Sequence, residues 1–181
     1  CTVPTALTIA SGSTAVATDS VQPTTGSATY ACSGGTATIT ASTCVQQCSV
    51  AAGTTWTVSG RTCTAPSALT INHGATGTST DSIQPTTGTA TYSCNNGATS
   101  ITTSSCAESC AANQTVSWSS NCSAPSGALL ANGANRTITN TASGYTGTRV
   151  ITCNNGTLAQ SGGSCTSACS SGGYALGGYC Y

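Results

Sequence analysis

Cysteine constrains this chain more than any other residue, because thirteen of its 181 residues are cysteines and their spacing repeats. Three cycles of four cysteines follow one another, and one further cysteine closes the last cycle. More than half of the positions between the first and fourth cysteine are identical in the first two cycles. The cycles are Cys1, Cys32, Cys44, Cys48; Cys63, Cys94, Cys106, Cys110; and Cys122, Cys153, Cys165, Cys169, closed by Cys180. The pattern predicts three tandem copies of one unit, at 1–62, 63–121 and 122–181.

The cysteine content is typical of proteins that fold in an oxidising compartment, where disulfides persist. Only 3% of the residues are charged, and three scattered arginines cannot form a basic patch for nucleic acid or anionic membranes. No apolar stretch approaches the roughly 18 residues of a membrane-spanning helix. We therefore expect a secreted, extracellular or cell-surface protein. Its near-zero net charge suggests that it is either coated with sugar or associates with copies of itself.

The sequence between the cysteines favours strands over helices. Residues 27–32 and 37–40 alternate in the β sense, and the chain is dominated by threonine, serine, alanine and glycine, of which threonine favours strands. Turn signals recur at equivalent positions in each copy, namely Gly12, Gly74 and Gly133 and then Gly35, Gly97 and Gly156. The predicted fold is all-β, with five to seven short strands per copy. It would consist of three small disulfide-stapled β-sandwich-like domains arranged as beads on a string.

Aromatic side chains are few, and their positions favour a structural role. Tyr30 and Tyr92 occupy one position that becomes Ile151 in the third copy, which is typical of a buried apolar position. Trp56 and Trp118 lie in the variable interval before the closing cysteine. We expect both to cover a small core rather than to bind sugar.

The polar residues form no catalytic arrangement, and we predict no enzyme, cofactor or metal site. His73 is the single histidine, beside a turn glycine, and serine or asparagine replaces it in the other copies. Asp19 and Asp81 are equivalent positions that become Asn140, a pattern typical of a turn cap. The close cysteine pairs have C-x3-C spacing without the C-x2-C pairs typical of structural zinc sites.

Four cysteines per copy allow three connectivities, and the sequence alone does not choose among them. Local spacing favours pairs that flank a predicted hairpin. These pairs are Cys32–Cys44, Cys48–Cys63, Cys94–Cys106, Cys110–Cys122, Cys153–Cys165 and Cys169–Cys180. Cys1 is then left over. It would pair with a preceding copy or a neighbouring subunit, or be a lipidated N-terminus.

Four glycosylation sequons occur, at Asn113, Asn121, Asn135 and Asn155. None recurs at an equivalent position, so chance matches in a chain rich in serine and threonine remain an alternative. O-linked sugar is the more general possibility.

Two resemblances follow from these motifs. Residues 84–97, QPTTGTATYSCNNG, and 56–63, WTVSGRTC, resemble tandem cysteine-rich repeats of long bacterial surface proteins and adhesins. That resemblance implies a secreted, modular, surface-exposed protein. The order Cys-x-x-Pro, Thr-Tyr-x-Cys, Cys and Trp distantly resembles the sushi (complement-control) module. However, Cys63 would have to close one module and open the next, and Cys48 is extra, so the sushi pairing does not carry over.

The sequence thus predicts a structural repeat of an extracellular filament or stalk, glycosylated and assembled head to tail from copies of itself. The alternative is an adhesin module that binds carbohydrate or a surface through Trp56, Trp118, Tyr174 or Tyr179.

Overall fold

A computed structural model describes residues 1–3, 5–169 and 173, and the backbone of two short strands at 175–176 and 179–180. Within these residues the chain forms strands and no helix. The strands are β1 (Thr14–Asp19), β2 (Thr24–Ser33), β3 (Thr36–Gln46), β4 (Cys48–Val50), β5 (Thr55–Val58), β6 (Arg61–Thr64), β7 (Leu69–Ile71), β8 (Thr76–Asp81), β9 (Thr86–Asn95), β10 (Ala98–Glu108), β11 (Thr115–Ser117), β12 (Ser123–Pro125), β13 (Asn135–Thr139), β14 (Tyr145–Thr146), β15 (Thr148–Asn154), β16 (Thr157–Gly163), β17 (Thr166–Ser167), β18 (Ala175–Leu176) and β19 (Tyr179–Cys180). The all-β prediction is confirmed. The described residues include no helix that could cross a membrane.

Each repeat contributes one three-stranded sheet, in the orders β1-β2-β3, β8-β9-β10 and β13-β15-β16. The remaining strands form two-stranded sheets that pair β4 with β7, β5 with β6, β11 with β12, β14 with β17 and β18 with β19. The sheets are small and separate, so a sandwich of two packed layers within each repeat is not confirmed.

The hairpin between the last two strands of each three-stranded sheet turns directly after the second cysteine of the repeat. In the second repeat the turn residues Asn96 and Gly97 have φ of 48° and 83°. Such a two-residue turn needs positive φ at both positions, which glycine and asparagine adopt at the lowest cost. Gly34 and Gly35 do the same in the first repeat, with φ of 58° and 82°.

This turn position explains why the predicted local disulfides are wrong. Along the β2–β3 hairpin, Cys32 lies opposite Ala37, whereas Cys44 lies opposite Gly26. Cys32 lies six residue steps along the strand from Gly26, which is about 20 Å at the rise of a β-strand. A disulfide needs Cα atoms within about 7 Å. Cys32 and Cys44 therefore cannot bond while the hairpin is formed.

The structure pairs the cysteines in two other ways. The first cysteine of each repeat bonds the third, as Cys1–Cys44, Cys63–Cys106 and Cys122–Cys165. The fourth bonds the second cysteine of the following repeat, as Cys48–Cys94 and Cys110–Cys153. These observed pairs exclude five of the predicted ones, namely Cys32–Cys44, Cys48–Cys63, Cys94–Cys106, Cys110–Cys122 and Cys153–Cys165.

The prediction that Cys1 is unpaired is also wrong. Cys1 bonds Cys44, and Cys32 is the free cysteine among the described residues. Cys169 is disulfide-bonded. The predicted partner of Cys169, Cys180, has its side chain outside the described residues.

Residue contacts divide the chain into two units that do not follow the repeat boundaries. The first unit comprises Cys1–Trp56, Thr64–Thr80 and Thr89–Ser105, and the second comprises Thr57–Cys63, Asp81–Gly88 and Cys106–Tyr181. Three bead-like domains at 1–62, 63–121 and 122–181 are therefore not confirmed.

Candidate inter-repeat interface

The segment that follows the fourth cysteine of a repeat packs on the sheet of the next repeat. We call residues 48–56 tail 1 and residues 110–118 tail 2. Each runs nine residues from the fourth cysteine to the tryptophan, CSVAAGTTW in tail 1 and CAANQTVSW in tail 2. Tail 1 and the parts of the second repeat that it contacts belong to the first unit. Tail 2 and its partners belong to the second unit.

Tail 1 begins as a strand and is fixed by a disulfide. Its β4 is antiparallel to β7, with Cys48 opposite Ile71 and Val50 opposite Leu69. Cys48 then bonds Cys94 of β9. Backbone hydrogen bonds set the register of the tail, while the disulfide prevents it from leaving.

The tryptophan at the end of tail 1 is almost fully buried. Its side chain is 4% exposed, and Nε1 donates to the carbonyl oxygen of Ser105 at 2.9 Å. In β9, Ala90, Tyr92 and Cys94 are buried, while the residues between them remain accessible. This is the period-two pattern of a strand with one covered face. Burial also raises the pKa of the Tyr92 phenol.

Tail 2 repeats the arrangement with different side chains. Cys110 forms an isolated antiparallel bridge with Leu130 and bonds Cys153. The Nε1 of Trp118 donates to the carbonyl oxygen of Ser164 at 3.0 Å. One hydrophobic cluster unites the tail with the sheet of the third repeat, namely Cys110, Val116, Ala124, Leu130, Ile138, Ile151 and Cys153, with Trp118 packed against it. Part of the core of the third repeat is thus supplied by the second.

Polar contacts at the hairpin turn reinforce both junctions. The N–H of Gln46 donates to Oδ1 of Asn96 at 3.0 Å, and the N–H of Gly97 donates back to the Gln46 carbonyl. At the equivalent place in the second unit, the N–H of Glu108 donates to Oδ1 of Asn155 at 2.9 Å. The turn asparagine therefore serves both the hairpin and the junction.

Two of the six charged residues also lie at the second junction. Nη1 of Arg61 lies 2.5 Å from a carboxylate oxygen of Glu108. Nη2 of Arg61 donates to the carbonyl oxygen of Asn155 at 2.7 Å. Residues from all three repeats meet in this cluster.

The predicted buried position is confirmed in the second and third repeats. Tyr92 and Ile151 are buried, and Tyr30 is half-buried. Trp56 and Trp118 cover cores as predicted, although the core that each covers belongs to the next repeat. In this state the Trp56 indole presents no face on which a sugar could stack. Tyr174 and the Tyr179 side chain, named in the sugar-binding alternative, lie outside the described residues.

The turn-cap prediction is confirmed as well. The Asp19 carboxylate accepts from the N–H groups of Thr2 and Val21 and from the Thr24 hydroxyl. These bonds, led by that from Thr2, lower the pKa of Asp19. Asn140 has the same role, accepting from the N–H groups of Ser123 and Ala142. His73 is exposed, and its Nδ1 accepts from the N–H of Asn96.

The predicted glycosylation residues differ in access. Asn113 and Asn135 are exposed, whereas Asn155 is half-buried and its amide oxygen is engaged with Glu108. Sequence reasoning missed the junction role of Asn96 and Asn155. The available signal was their shared position, because each asparagine lies two residues after a cysteine and directly before the turn glycine.

No family model matches this chain. No curated protein and no solved structure is significantly similar to it.

Proposed function

We propose that this chain is a structural segment of an extracellular filament or stalk, built by repeats that interlock head to tail. The observation that supports the proposal is the twofold occurrence of one junction. At both, the tail of one repeat enters the hydrophobic core of the next and is fixed there by a disulfide, Cys48–Cys94 or Cys110–Cys153. A junction of this kind can be repeated, because the second repeat carries both a sheet that accepts tail 1 and a tail that enters the third repeat.

The disulfides support an oxidising environment outside the cell, where such links persist. Small side chains and near-zero net charge would let neighbouring filaments approach closely. Sugar on exposed asparagine, serine or threonine would keep the material hydrated, with Asn113 and Asn135 as accessible sequons. The partners are thus copies of the repeat and covalent glycans.

The alternative function, a carbohydrate-binding adhesin module, draws no support from Trp56, because its indole is covered by the second repeat. A glycan array with the oxidised chain would test the alternative directly.

Electron microscopy of material shed by the producing cells tests the filament proposal. An antibody raised against residues 1–181 should label regular thin fibres along their whole length. Preimmune serum from the same animal is the matched control. Label confined to fibre tips, or found only on isolated particles, would contradict the proposal and favour the adhesin.

A further inference from the structure

The sheet of the first repeat carries the surface that tails cover in the second and third repeats, and among the described residues no tail covers it. The segments 27–32, SATYAC, and 89–94, TATYSC, are identical at four of six positions. In β9 alternate residues of this segment are buried, but β2 has no buried residue. Tyr30 and Cys32 are half-buried, whereas Tyr92 and Cys94 are each 3% exposed.

The segment that pairs with a tail also differs between the first and second repeats. Leu69, Thr70 and Ile71 form β7 against β4 and Ile71 is buried. The first repeat has the identical tripeptide at Leu7, Thr8 and Ile9, but this segment forms no strand. Leu7 is 42% exposed. One sequence is therefore a paired strand where a tail is present and an unpaired segment where none is.

Two grooves lie at the positions that a tail would fill. One, of about 400 Å³, is lined by Leu7, Ile9 and Tyr30 among others, next to the segment equivalent to β7. The other, of about 230 Å³, is lined by Ala28, Tyr30 and Thr43 among others. Thr43 is the equivalent of Ser105, whose carbonyl oxygen accepts from the Trp56 indole. The grooves thus match the strand and the tryptophan of a tail.

We propose that the first repeat is an open acceptor site for the nine-residue tail of another repeat of this type, which bonds covalently to Cys32. Cys32 is the equivalent of Cys94 and Cys153, and both of those bond the first residue of a tail. The site is more than a lone thiol, since residues 7–9 and Cys32 are the equivalents of β7 and Cys94 in the site that tail 1 occupies, and grooves lie beside Ile9 and Tyr30. The inference rests on the proposed head-to-tail function and names the surface that would extend it.

The covalent step is a thiol–disulfide exchange. The Cys32 thiolate attacks the tail's cysteine sulfur in a mixed disulfide with a small thiol, and the sulfur–sulfur bond to that small thiol breaks. The Cys32–tail disulfide forms, and the small thiol leaves as its thiolate, so no net oxidant is required. Docking of the tail accelerates the exchange because it raises the effective concentration of the two sulfurs.

The test uses the oxidised full chain and a synthetic peptide of residues 46–58. The peptide cysteine is activated as the mixed disulfide with thionitrobenzoate, whose release is followed by absorbance. We expect adduct formation at Cys32, located by peptide mapping, at least about tenfold faster than with a peptide of scrambled order and the same cysteine position. A peptide with the Trp56→Ala change should react at an intermediate rate.

Two protein variants separate docking from simple thiol reactivity. Cys32→Ser should give no adduct but should still blue-shift the tryptophan fluorescence of the native peptide. Ile9→Asp should slow the reaction towards the scrambled rate, because it places a charge where β7 carries a buried isoleucine. Equal rates for native and scrambled peptides, or a Cys32–Cys32 dimer in the presence of peptide, would overturn the proposal.

This test is independent of the microscopy. Peptide capture without fibres in native material would leave the acceptor site standing and remove the filament function. Labelled fibres without peptide capture would leave the filament function standing and remove the acceptor site.

Discussion

The carboxylate of Asp19 caps a turn with three donated hydrogen bonds, and its lowered pKa makes the cap dependent on pH. A carboxyl with a lowered folded-state pKa contributes stability above its unfolded value, near 3.8 here. That contribution is lost as the pH falls through the lower folded value. Asn140 shows that an amide can occupy the same position in this fold.

We therefore expect Asp19→Asn to be less stable than the wild type at pH 7, with the difference disappearing as the pH falls below the folded pKa. Urea unfolding from pH 7 down to about pH 2 measures it. Asp81 is present in both proteins, so its contribution to the pH dependence of the free energy of unfolding cancels in the comparison. A stability difference that stays constant across this range would contradict the assignment.

Tyr92 presents the opposite situation, a buried polar atom without a partner. Its hydroxyl has no hydrogen-bond partner among the described residues, and the third repeat has Ile151 at the same position. Tyr92→Phe removes the unpaired hydroxyl while it keeps the ring, so the free energy of unfolding should rise by about 1 kcal/mol. Tyr30→Phe, at the half-buried equivalent, should change it by less than about 0.5 kcal/mol. Destabilisation by Tyr92→Phe would reveal a partner for the hydroxyl.

Among the elements, the two kinds of disulfide offer a matched pair. Cys1–Cys44 and Cys48–Cys94 close loops of similar length, with sequence separations of 43 and 46. Loop entropy alone predicts that removal of either costs about 4 kcal/mol. Cys48 and Cys94 are also buried, whereas Cys1 and Cys44 are exposed.

We expect the Cys48→Ala/Cys94→Ala variant to be less stable than Cys1→Ala/Cys44→Ala by a further 1–2 kcal/mol or so, because it also leaves a cavity at the junction. Urea unfolding of both oxidised variants measures the difference. Equal losses would mean that the tail contributes only a covalent link and no packing.

The elements also show why the sequence predicted some features and missed others. Repeats, turns and the bonds that Asp19 accepts from Val21 and Thr24 depend on a few neighbouring residues, so they can be derived locally. Disulfide pairing depends on strand register, which the turn after Cys32 fixes by placing Cys44 opposite Gly26. That turn signal was present at Gly35, and applying it would have excluded Cys32–Cys44. The entry of tail 1 into the next repeat had no such signal, because its apolar residues fit a local core equally well.

For the whole molecule, the interlaced disulfides determine how far the chain can be stretched. Residues 48–94 and 63–106 form overlapping loops, as do 110–153 and 122–165. A chain pulled from residue 1 to residue 165 therefore extends only as far as its shortest covalent path, roughly 32 residues of backbone, or about 130 Å with the disulfide crossings. The reduced chain would reach about 570 Å.

The overlap makes each of these disulfides replaceable by its neighbour under load. Without Cys48–Cys94, the path runs through Cys63–Cys106 instead, so the extension of the Cys48→Ala/Cys94→Ala variant should grow only to about 140 Å. Removal of both links should raise it to about 280 Å. Single-molecule force spectroscopy with handles at residues 1 and 165 distinguishes these lengths. A large increase on loss of Cys48–Cys94 alone would mean that the overlapping pairing is wrong, whereas near-equal lengths would mean that Cys63–Cys106 replaces the lost link, as the proposed filament would need under tension.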